Sequence, residues 1–149
     1  MLGIRCGYYT DDSNVAYKID SIVEFMEPFI KKCTGFLFKK LNGMGEVDES
    51  KLDEYVGGTW GTFIPVIEAR LLEHSKPFIA GTERPTIADF AAFQIAFGAT
   101  DINPHSVMPE SIKSAVMARI AASAAYQAWF NRMKQELASY MAVRPAYPA

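Results

Sequence analysis

Cysteine is nearly absent: Cys6 and Cys33 are the only two in 149 residues. That is too few and too isolated for a disulfide framework or a zinc site, and it points to reduced thiols in a cytoplasmic protein. Neither has a histidine or a cationic cluster beside it in sequence, so each is expected to be a buried, inert thiol. Histidine is equally scarce. His74 and His105 lie far apart, near helix ends or loops, which favours capping or solvent roles over a metal or a base. A surplus of one charge is missing too, with 15 basic and 17 acidic side chains and a formal charge of -2. Nothing electrostatic therefore draws the chain to nucleic acid or to an anionic membrane. No apolar run reaches the length of a bilayer crossing. Gly3, Arg5 and Gly7 interrupt the place where a signal peptide would have its apolar core. Sustained period-two alternation, internal repeats and low-complexity tracts are also lacking, which excludes sheet and solenoid architectures.

What remains is a chain 50% hydrophobic and 21% charged, the balance of one globular domain of ordinary size. Leu2 to Cys6 has room for one or two helical turns. Gly7 to Asn14 is a turn-rich connector whose short polar side chains suit a helix cap. From Val15 the apolar residues Ile19, Ile22, Val23, Met26, Phe29, Ile30, Cys33, Leu37 and Leu41 keep a period near 3.6 over about seven turns. Pro28 falls inside that pattern and predicts a bend, because it removes the bond to Glu24.

Asn42 to Gly45 end this helix, and Leu52, Val56, Trp60, Phe63, Ile67 and Leu71 make a second stripe, bent at Pro65. A loop of roughly ten residues predicts that these two helices pack antiparallel. Gly57, Gly58 and Gly61 weaken the second one, and close approach to the first helix is the expected compensation. A helix rich in Ala and Phe on most sides follows at Ile87 to Gly98 and should be central. After a loop through Asp101 to Pro104 and Pro109, Glu110 to Ala121 turns Ile112, Val116 and Ile120 inward. A last helix carries Tyr126, Trp129, Phe130, Met133, Leu137, Tyr140 and Met141. The acidic pairs Asp11-Asp12 and Asp53-Glu54 fit helix-start charges better than acid–base catalysts. The class is all-α, with five or six helices.

The sharpest local signal is Phe78-Ile79-Ala80-Gly81 followed by Thr86-Ile87-Ala88-Asp89-Phe90. Thr86 and Asp89 can form a capping box, each satisfying a backbone N–H of the other, with Pro85 and Phe90 at the positions of a hydrophobic staple. The carboxylate also sits at the positive end of the helix dipole.

In this order and spacing, the motif closely resembles the capped core helix of glutathione transferases. The resemblance extends through Leu2 to Tyr9, which look like the segment closing that family's thioredoxin-like domain, and through Ile19 to Glu24 at the start of its first long helix. Downstream it includes Tyr126 to Met133 and Arg144-Pro145-Ala146. It implies a glutathione-transferase C-terminal helical bundle, with residues 1–12 as the remnant of the preceding domain's last helix and the connector, and residues 13–149 as the helical domain.

In that family glutathione is the cosubstrate and is held mainly by the thioredoxin-like domain, where a Tyr, Ser or Cys stabilises its thiolate nucleophile. None of those motifs maps onto this sequence, so no catalytic residue is assigned and the chain alone is not expected to conjugate. What the resemblance implies for this domain is one wall of a pocket for a small hydrophobic electrophile, together with a dimer surface. The wall residues it points to are Glu27, Ile30, Lys31 and Thr34, with Tyr8 and Tyr9 at the domain junction. An acidic residue near the Glu27 position reaches across the dimer axis toward the partner's glutathione in many members. Two other readings stay open: a noncatalytic module or subunit that binds a protein partner, and a carrier of small apolar ligands.

Overall fold

The computed structural model describes residues 2–41, 43–100 and 108–143, and among these there is no strand. After the single turn α1 (Leu2–Arg5) come α2 (Ser13–Leu41), α3 (Gly61–Leu72), α4 (Ile87–Gly98), α5 (Glu110–Ala122), α6 (Ala124–Glu136) and α7 (Ala138–Val143). The all-helical class expected from the periodicity is what the chain forms. The loop expected through Asp101 to Pro104, together with His105, Asn42 and the segment Arg144-Pro145-Ala146, lies outside the described residues.

Two of the starts have a side-chain cap as their local cause. Asp12 opens α2 by accepting from the N–H groups of Asn14 (2.9 Å) and Val15 (3.1 Å) at Oδ1. It thereby satisfies donors that have no partner within the helix. Ser123 performs the same service between α5 and α6, accepting from Tyr126 N at 3.2 Å. The helix α2 runs through Pro28 without a break. Its buried residues Ile19, Ile22, Met26 and Phe29 repeat at three and four, so the packed stripe holds the helix across the missing bond.

Two expectations about the second stripe are corrected. It is one rod only from Gly61 onward; Glu54–Trp60 is wound as a π-helix, preceded by a short 3-10 turn at Glu49–Lys51. The glycines do not compensate against α2. A Cβ at Gly57 or Gly61 would lie 3.7 or 3.5 Å from the guanidinium of Arg119 on α5, and at Gly58 it would meet nothing within 4 Å. The close approach thus accommodates Arg119, and the missing Cβ atoms ease the wide turn. The final stripe also divides, into α6 and α7, at Leu137, whose backbone (φ -98, ψ 2) leaves the helical region.

Helix α4 packs against α2 and α6, while α6 also meets α3, α5 and α7. A relay of rings crosses the core. Phe29 of α2 stacks on Phe63 of α3 at 4.2 Å, Phe63 meets Tyr126 of α6, Tyr126 meets Trp129, and Trp129 meets Phe93 of α4. Offset and edge-on pairs of this kind add to simple burial.

The turn into α4 depends on Gly81. Its φ is +78, and a Cβ there would come within 2.9 Å of the His74 ring. His74 in turn contacts the Ile79 carbonyl at 3.3 Å through Nε2. Gly81→Ala is expected to cost at least about 2 kcal/mol, from the left-handed backbone plus the displaced imidazole. Gly7 has a similar φ (+75) with open space around it, so Gly7→Ala should lose only the backbone part. Urea midpoints of the two variants, measured side by side, check the difference.

Candidate functional site

The motif at the head of α4 builds a buried polar centre. Asp89 is fully buried, yet its carboxylate accepts four hydrogen bonds. Oδ2 takes Thr86 N (2.8 Å) and the Thr86 hydroxyl (2.9 Å). Oδ1 takes Ile79 N (3.0 Å) and Trp129 Nε1 (2.9 Å). The capping box is present, and the same carboxylate ties the preceding loop and α6 to the helix start. Burial pushes the Asp89 carboxyl above its ordinary value, while the donors from Ile79, Thr86 and Trp129 pull it back. The arrangement has no opening to a substrate; its product is rigidity.

The connector is fixed to that centre. Ile87 N donates to the Tyr8 carbonyl at 3.0 Å, and the Tyr8 ring stands edge-on to Phe90 at 5.1 Å. Tyr9 turns the other way and donates its hydroxyl to both oxygens of Asp20 (2.8 and 2.7 Å). That acceptor raises the Tyr9 phenol above its ordinary value.

Glu27, Ile30, Lys31 and Thr34 lie together on the solvent side of α2. Glu27 and Lys31 form an exposed ion pair at 2.8 Å, which at such exposure adds little stability. Between the polar residues two aliphatics remain outside the core, Val23 at 38% and Ile30 at 46% exposure. Positions 23, 27, 30 and 34 recur at four and three, so they make one continuous stripe. Tyr8 and Tyr9 belong to the other end, near α4 and the first turns of α2.

No protein-family model, curated protein or solved structure matches the chain. Among the described residues no group of three or more His, Cys, Asp and Glu is arranged to hold a metal ion. No described helix is long and apolar enough to cross a membrane.

Two cavities have walls that the sequence did not single out as sites. One, of about 270 Å³, lies between α4 and α7 and is bounded by Phe90, Phe93, Phe97, Leu137, Tyr140 and Met141, with Gln94 as its polar member. Its signal was the excess of phenylalanine on α4, more than one packed face consumes. The other, of about 410 Å³, lies between the second half of α2 and the π-helical turn. Neither is lined by Glu27, Ile30, Lys31 or Thr34.

The cysteines depart from expectation in one case. Cys6 is exposed, while Cys33 is partly covered and accepts from the Tyr55 hydroxyl at 3.5 Å. Cys6 sits beyond the short α1 where no helix covers it, so the default of a buried thiol fails there. Burial pushes Cys33 from 9.0 up to about 11, with the Tyr55 hydrogen bond pulling the other way. At neutral pH roughly one Cys33 in ten thousand is thiolate. Iodoacetamide is expected to label Cys6 well before Cys33, and peptide mass mapping over time reads the order. The folded thiol holds its proton to higher pH than the unfolded one. Its contribution to stability is thus complete below pH 9.0 and lost as the pH rises through about 11.

Proposed function

We propose that this chain is a glutathione-transferase-like helical domain, supplying a wall for a small hydrophobic electrophile and a surface for dimerisation. Glutathione, in this reading, is the cosubstrate and is held mainly by a thioredoxin-like domain. The observation that carries the proposal is the α2 stripe. A helix packed on its opposite side leaves Val23 and Ile30 in solvent, alternating with Glu27 and Thr34, with Lys31 alongside. An aliphatic stripe with a few polar groups suits an apolar ligand that needs orienting. The capped α4 helix supports the same reading, because Asp89 and Trp129 hold the bundle rigid behind the wall.

The test uses anilinonaphthalene sulfonate as an apolar probe whose fluorescence rises when it leaves water. The chain is expected to bind it saturably, and Ile30→Glu to weaken binding about tenfold or more, the effect of losing one aliphatic contact surface. Because Ile30 is already exposed, its replacement should leave the helical circular dichroism unchanged. Equal affinity of the two proteins would reject the α2 wall.

A further inference from the structure

We propose that the cleft between the second half of α2 and the π-helical turn is a binding site for a free aromatic α-amino acid. The site is distinct from the α2 stripe in its lining, which includes Lys32, Gly35 and Phe36 and none of Glu27, Ile30, Lys31 and Thr34. Its volume, about 410 Å³, falls within the range of small-molecule pockets.

The space exists because side chains are missing on both facing elements. Gly35 of α2 and Gly58 of the π-helical turn line the cleft, and a Cβ at either would meet nothing within 4 Å. The π winding of Glu54–Trp60 brings Glu54, Tyr55, Gly58 and Thr59 to one wall. This winding is rare in proteins and recurs at functional sites.

The wall has an aromatic part of fixed orientation. Phe36 stacks on Tyr55 at 4.2 Å with the planes 7° apart. Tyr55 is buried and anchored through its hydroxyl to Cys33. A planar ring entering the cleft finds this pair ready to stack or to receive its edge.

The rim carries both signs of charge. Lys32 and Lys51 stand with the carboxylates of Glu46, Asp48 and Glu54, and Asp48 is oriented by the amide and hydroxyl of Ser50 at 3.2 and 2.6 Å. A simple anion meets the carboxylates and a simple cation meets the lysines. A zwitterion meets opposite charge at each end, its carboxylate toward Lys32 and Lys51 and its ammonium toward Glu54. A ring joined to a zwitterion is the chemistry of an aromatic α-amino acid.

The probes are L-phenylalanine, phenylethylamine, which lacks the carboxylate, and phenylpropionate, which lacks the ammonium. Amide NMR titration of the full chain reads the site directly through Gly35 and Gly58. L-phenylalanine is expected to shift both saturably, and each of the other probes to bind at least about tenfold more weakly, through loss of one charged contact. Gly58→Leu should fill the cleft and abolish the shift at Gly35 while the circular dichroism stays native. Lys51→Gln should bring L-phenylalanine down toward phenylethylamine. Equal binding of all three probes, undiminished binding by folded Gly58→Leu, or no saturable shift up to on the order of 10 mM L-phenylalanine would overturn the proposal.

Discussion

Asp89→Ala is expected to lower stability by on the order of 4 kcal/mol, a large share of the roughly 5–15 kcal/mol typical of a folded domain. Truncation leaves four donors without their acceptor: the amides of Ile79 and Thr86, the Thr86 hydroxyl and the Trp129 indole. Each orphaned buried donor costs roughly 1–3 kcal/mol, and relief from burying a carboxylate offsets part of the sum. The midpoint of thermal unfolding should fall by about 10–15 °C. Trp129→Phe removes one of the four bonds and keeps most of the ring. A double-mutant cycle between the two positions should therefore show a coupling of roughly 1.5–3 kcal/mol, the range for a hydrogen bond to a charged group. A coupling near zero would mean that α6 is held to the head of α4 by apolar packing alone.

Phe63→Ala is expected to cost about 3–5 kcal/mol, from lost transfer energy and the cavity left behind. Phe63 is fully buried and touches rings from three elements, Phe25 and Phe29 on α2, Trp60 on the π-helical turn and Tyr126 on α6. No single neighbour can close the gap, because the rings constrain one another. Tyr126→Phe, one ring away, should do the opposite. The Tyr126 hydroxyl is buried with no hydrogen-bond partner among the described residues, and burial alone raises its phenol above the ordinary value. Its removal is expected to be neutral or to stabilise by about 1 kcal/mol. Chemical denaturation of both variants, compared at constant m-value, separates the two directions.

The helices and the cap were legible in sequence because both are local. The 3.6 period marks α2, α4 and α5 without knowledge of their partners, and Thr86 and Asp89 are three positions apart. The partner that completes the centre, Trp129, stands 40 positions from Asp89, where no local pattern reaches. The π-helical turn was hidden for a related reason. Gly57, Gly58 and Gly61 advertised a weak helix, but Arg119, which sits against two of them, comes from α5. The division at Leu137 carries no glycine or proline to announce it. As for candidate sites, the grouping of Glu27, Ile30, Lys31 and Thr34 on one face follows from helical spacing, whereas Val23, which the period groups with the apolar stripe, joins them only through its exposure in the fold. The clefts depend on which residues of separate elements face each other, and that is settled only by packing.

The α2 wall is tested most directly by amide NMR of the full chain titrated with a chlorodinitrobenzene, an apolar electrophile of the class proposed. Saturable shifts are expected at Val23, Glu27, Ile30, Lys31 and Thr34, reduced in Ile30→Glu. Shifts confined to Phe93, Phe97, Tyr140 and Met141, or none along α2, would contradict it.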